Sequence, residues 1–76
     1  MKEQIFSILS GMRPEYDFST SQDFISDGML DSFDVVTLVS ELEEKFSIAI
    51  DGEDIIPENF SSVDRIANLV EKSEKV

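Results

Sequence analysis

Asp31-Ser32-Phe33-Asp34-Val35-Val36-Thr37-Leu38-Val39-Ser40-Glu41-Leu42-Glu43-Glu44-Lys45-Phe46 is the stretch whose reading decides the fold. Val35, Leu38, Val39, Leu42 and Phe46 recur at helical spacing, and Val36 widens the stripe. Asp31 suits the N-cap, and Asp34 three residues later makes a box-like start. An acid in the first turn (Asp34) and a base in the last (Lys45) both complement the helix dipole. The stretch reads as an amphipathic helix with one face turned to a core.

Upstream, Ile5, Ile8, Leu9 and Met12 form a second stripe at i, i+3, i+4 and i+7. Gly11 weakens its last turn, and Pro14 biases Arg13 away from helical angles, so this helix should stop near residue 12. From Arg13 to Asp31 the pattern breaks among turn formers: Pro14, Ser19, Thr20, Ser21, Ser26 and Gly28. Tyr16, Phe18, Phe24, Ile25, Met29 and Leu30 are spread through the same segment, so the expectation is a long loop pinned to the core.

Downstream, Ser47-Ile48-Ala49-Ile50 alternates weakly, as an extended connector would, and Asp51-Gly52 marks a turn. Glu53 to Ile56 is expected to form one short helical turn closed off by Pro57. A last helix is expected from Ser61, in box-like spacing to Asp64, with Val63, Ile66, Ala67 and Val70 as its stripe. Phe60 before it reads as a staple. The fold class is therefore all-α. It is a small antiparallel bundle of three main helices plus a short fourth, with a long structured loop before the second helix.

The chain has 76 residues, read as one domain over 1–76. Surface scaling predicts roughly 4,700 Å² exposed when folded, against roughly 12,500 Å² for the unfolded chain. With no Cys there is no disulfide framework, thiolate metal site or Cys nucleophile. With no His the commonest general base and transition-metal ligand are also missing. Neither a catalytic residue nor a metal site is assigned, and the chain is not read as an enzyme. Seventeen acids against six bases give a net charge of −11, which repels nucleic acid and anionic membranes. Asp51-Gly52-Glu53-Asp54 lacks the alternating oxygen ligands and terminal Glu of a calcium loop. No apolar run approaches the roughly 20 residues that span a bilayer. Met1-Lys2-Glu3-Gln4 is too polar and acidic for a signal peptide, so a cytoplasmic location is expected.

One residue can carry chemistry. Ser32 directly follows the proposed cap and is flanked by Phe33 and Asp34, with its hydroxyl directed outward from the first helical position. An anionic phosphodiester on that oxygen would be favoured by the free N–H groups and positive end of the helix.

At these residues the chain resembles the acyl carrier and peptidyl carrier protein family. Asp27-Gly28-Met29-Leu30-Asp31-Ser32-Phe33-Asp34 is similar to the family's attachment motif, Asp-Ser-Leu with an upstream Gly, with Phe33 in place of the usual Leu. The likeness continues through Val35 to Phe46 and weakly into Ser62-Val63-Asp64-Arg65-Ile66. It implies a swinging-arm carrier. A phosphopantetheinyl transferase would move 4′-phosphopantetheine from coenzyme A onto Ser32, with Asp31 and Phe33 beside it. An acyl or aminoacyl group would then ride as a thioester.

From Asp31 to Glu58 there are nine acids and one base, −8 of the total −11. The resemblance implies that the exposed side of the second helix meets basic patches on partners, with Phe33, Asp34, Thr37, Ser40, Glu43 and Glu44 as docking positions. Those partners would be a loading ligase or adenylation enzyme and downstream acyltransferases, met by a monomer. Thr37 stands where fatty-acid carriers usually have an acid and Ser40 where they usually have Met. Asn59-Phe60-Ser61-Ser62 and the Met-Leu-Asp-Ser-Phe motif look closer to D-alanyl carriers and free-standing peptidyl carriers. The favoured reading is a carrier for a dedicated pathway, with a housekeeping fatty-acid carrier as runner-up. An unmodified acidic interaction protein, such as a nucleic-acid mimic, is the rival from another class.

Overall fold

Apolar spacing and end signals place three α-helices in the computed structural model, which describes residues 1–74. They are α1 (Lys2–Met12), α2 (Ser32–Phe46) and α3 (Val63–Glu74). Helix α1 ends where Pro14 makes it end, and the Arg13 N–H closes its last turn on the Leu9 carbonyl at 2.9 Å. The ends show how the helices run. Arg13, just past α1, reaches Asp34 in the first turn of α2. Lys2 at the start of α1 pairs with Asp64 at the start of α3. Helix α2 is therefore antiparallel to α1, and α3 starts at the same end as α1.

The three stripes meet in one core. Ile5 and Leu9 from α1, Leu38 and Leu42 from α2, and Ile66 and Val70 from α3 have no measurable exposure. Each such side chain contributes roughly 1.5–3 kcal/mol relative to an exposed position. The accessible surface is 4742 Å², close to the scaling value for a folded chain of this mass. No helix among the described residues is long and apolar enough to cross a membrane.

The segment between α1 and α2 is pinned as its apolar residues predict. Phe18, Phe24, Met29 and Leu30 are buried, while Tyr16 stays near the surface. Phe18 and Phe24 pack edge to face with ring centres 5.0 Å apart. The Phe24 N–H donates to the Ser61 carbonyl at 2.7 Å, and the Phe24 carbonyl accepts from both Met29 and Leu30. Gly28 sits at φ +72°, a left-handed angle that turns the chain toward α2.

Three local expectations are corrected. Val36 does not widen the buried stripe, being 62% exposed; it lies one position off the i, i+3, i+4, i+7 series and shares the outer face with Phe33. Pro57 does not close a helical turn but opens one. The short fourth element is split into 3₁₀ turns at Gly52–Asp54 and Pro57–Phe60, because proline is pre-set for a first helical position. Finally, α3 starts at Val63, and Ser62 rather than Ser61 caps it by accepting from the Arg65 N–H at 3.2 Å. Ser61 instead donates its hydroxyl to the Glu58 carbonyl. Phe60 is fully buried in the core.

Candidate functional site

The start of α2 is built from local hydrogen bonds before any tertiary contact is needed. The Asp31 carboxylate accepts from the Asp34 N–H at 2.9 Å, and the Asp34 carboxylate accepts from the Asp31 N–H at 3.2 Å. This reciprocal box satisfies two backbone donors and aims the first turn. The N–H groups of Ser32 and Phe33 are left without an intrahelical acceptor. Ser32 is exposed at the first position of this fifteen-residue helix. Its hydroxyl therefore stands beside the positive end of the helix dipole.

Arg13 completes the arrangement from the other side. Its Nε lies 3.2 and 3.1 Å from the two Asp34 carboxylate oxygens, and its Nη2 lies 2.9 Å from one of them. The same Nη2 is 3.8 Å from Asp31, and Nη1 is 3.5 Å from Glu15. The hydrogen bond and charge of Asp34 raise the Arg13 pKa. Partial burial pushes the Asp34 carboxyl up, but hydrogen bonds from Arg13 and the Asp31 N–H, with the guanidinium charge, outweigh it. The net result lies below the usual carboxylate value. Asp34 thus serves the cap and the α1–α2 junction at once.

Along the outer face of α2 the six positions proposed from sequence separate into two kinds. Phe33 is 84% exposed, Val36 lies next to it one turn on, and Thr37, Ser40 and Glu44 are exposed. Thr37 returns its hydroxyl to the Phe33 carbonyl at 3.2 Å. Asp34 and Glu43 are engaged within the fold: the Asp34 side chain keeps only 14% exposure beside Arg13, and a Glu43 carboxylate oxygen accepts from the Ile50 N–H at 2.9 Å. The near end of this face is apolar and hydroxylic, with the free acid Glu44 further along.

Two of the acids past α2 are engaged within the fold. Asp51 accepts from the Glu53 N–H at 3.0 Å, and Asp54 holds Lys72 of α3 at 2.9 Å. That contact raises the Lys72 pKa. Arg13 and Val36 are the residues that sequence reasoning missed. A signal for Arg13 existed, since it is the one base between Lys2 and Lys45.

A family model described as a phosphopantetheine attachment site matches residues 5–70. The chain is also similar to the D-alanyl carrier proteins of Lactococcus lactis subsp. cremoris (strains MG1363 and SK11) and of subsp. lactis (strain IL1403). Each is 31% identical over 74 residues, covering 95% of this chain and 94% of the relative. No solved structure matches the chain.

Proposed function

The chain belongs to the phosphopantetheine attachment-site family of carrier proteins, and from that premise we propose that Ser32 is its attachment residue. The family's prosthetic group is 4′-phosphopantetheine, and its members are carriers rather than enzymes. When bound, the group supplies a terminal thiol on a long arm, where an acyl or aminoacyl cargo travels as a thioester.

The observation that carries the reading is the exposed Ser32 hydroxyl on the first turn of α2, fixed by the Asp31–Asp34 box. The fit is chemical: the free N–H groups and dipole of a helix start favour a phosphodiester anion. The chain supplies no His or Cys base to activate that hydroxyl, so the proton leaves to a group on the transferase. Phe33 and Val36, exposed one helical turn apart, form an apolar contact beside Ser32 for a partner enzyme. Thr37 and Ser40 extend that contact, and Glu44 supplies an acid for a basic residue of the partner. Asp34 and Glu43 lie on the same footprint but are held by their own structural bonds, so they contribute shape more than free charge.

The partners are a phosphopantetheinyl transferase, a loading ligase or adenylation enzyme, and downstream acyltransferases, in the cytoplasm. The whole of 1–76 acts as one carrier domain. The cargo is an amino acid or specialised acyl group of a dedicated pathway, and likeness to D-alanyl carriers makes D-alanine the first to test. Intact-protein mass spectrometry after incubation with coenzyme A and a broad-specificity transferase should show a gain of one phosphopantetheinyl group. A subsequent D-alanine ligase with ATP should add one alanyl group. Loading by malonyl transfer alone would overturn the dedicated-pathway reading.

A further inference from the structure

We propose that Arg13 is a positioning residue for modification of Ser32, acting through Asp34. The proposal rests on Ser32 being the attachment site. Arg13 lies outside the attachment motif, just beyond the C-terminal end of α1, yet its guanidinium grips the carboxylate that accepts from the Asp31 N–H in the cap of α2.

Two facts give that grip a chemical purpose. In the transfer, the Ser32 Oγ–phosphorus bond forms and the pyrophosphate P–O bond of coenzyme A breaks. The 3′,5′-ADP portion departs, and the hydroxyl proton passes to a base of the transferase. Every phosphorus-bearing species in this step is anionic, while Asp31 and Asp34 flank Ser32 closely in the chain and share one guanidinium with Glu15. Arg13 is the cation that faces all three. It offsets the charge that would oppose the incoming phosphate.

The second fact is geometric. Asp34 accepts from the Asp31 N–H only if its carboxylate is held toward the cap, and a planar guanidinium can fix it there by more than one hydrogen bond. An ammonium group keeps the charge and loses the fork. Gln keeps hydrogen bonding and loses the charge.

The test compares initial rates of phosphopantetheinylation for wild type, Arg13→Gln and Arg13→Lys, with circular dichroism to confirm equal helicity at the assay temperature. For Arg13→Gln, kcat should fall about tenfold, on the order expected for losing a charge-assisted contact, with KM within about twofold. Arg13→Lys should recover part of the loss. In the unmodified protein, the pH midpoint followed by the Asp31 amide resonance should move upward in Arg13→Gln. Equal kcat in wild type and Arg13→Gln overturns the proposal, as does a change in KM alone or an unmoved amide midpoint. A wild type that accepts no group overturns the Ser32 reading and this proposal together. A modified wild type with an indifferent Arg13→Gln overturns this proposal alone.

Discussion

The two ends of α2 are finished by opposite means. At the N-terminal end three side chains, Asp31, Asp34 and Arg13, converge on one turn and satisfy one another. At the C-terminal end the chain stops on Ser47 at φ 54°, ψ 48°, a left-handed cap usually given to glycine, whose N–H returns to the Glu43 carbonyl. One end is over-determined and the other carries local strain. The over-determined end is the one that presents Ser32, the residue proposed for attachment. The strained end only redirects the chain into the connector.

The largest expected effect probes the first end. Ser32→Ala should remove the whole phosphopantetheinyl mass gain while leaving the helical spectrum and melting temperature unchanged, because an exposed Ser32 holds none of the fold together. A residual mass gain in that variant would place the attachment elsewhere.

Next comes Asp34→Ala, which deletes the box and the Arg13 contact together and should lower stability by about 2 kcal/mol in urea unfolding. A loss no greater than a few tenths would mean that the two ends of α2 are equally loose. The same carboxyl gives the contrast a pH signature. Its folded-state pKa is lowered, so its contribution is whole above the ordinary value of 3.8 and is lost as pH falls below that through the folded-state value. Acid unfolding of Asp34→Asn should lack this component.

The second end gives a smaller effect of opposite sign. Ser47→Gly should raise stability by roughly 0.5–1 kcal/mol, by removing the cost of a side chain at positive φ. Destabilisation would show that the Ser47 cap is not strained. The smallest effect concerns the molecule as a whole. With a net charge of −11, added salt should raise the melting temperature through screened self-repulsion, and more so in Arg13→Gln, where the acids at Ser32 lose their cation. A flat salt dependence would remove that argument.

What the sequence reveals about α2 depends on distance along the chain. The Asp31–Asp34 box closes over a separation of three, so local spacing discloses it. Arg13 and Asp34 meet across a separation of 21, which no local pattern reports. Residue type points Val36 inward, although Phe33, Val36, Thr37 and Ser40 keep a helical spacing of their own on the opposite side. Type says what a face is made of, and burial alone says which way it points. At the last helix the spacing of Ser61 to Asp64 points to Ser61 as the cap, but the adjacent Ser62 takes that place. Pro57 fits both the end of one turn and the beginning of the next, and the chain uses the second option. The long loop was readable as pinned because its aromatic residues are too many to leave in water. Its partner at Ser61 was not readable.

That partner has a consequence for how the molecule breathes. The Phe24 amide is bonded to the Ser61 carbonyl and its ring is buried, so opening the loop also breaks its seam with the entry to α3. Loop and last helix then share one cooperative unit. In deuterium exchange the Phe24 amide should be among the slowest in the chain, despite belonging to a segment without α-helix. The turn that carries Ser32 is thereby set on a slow-opening base.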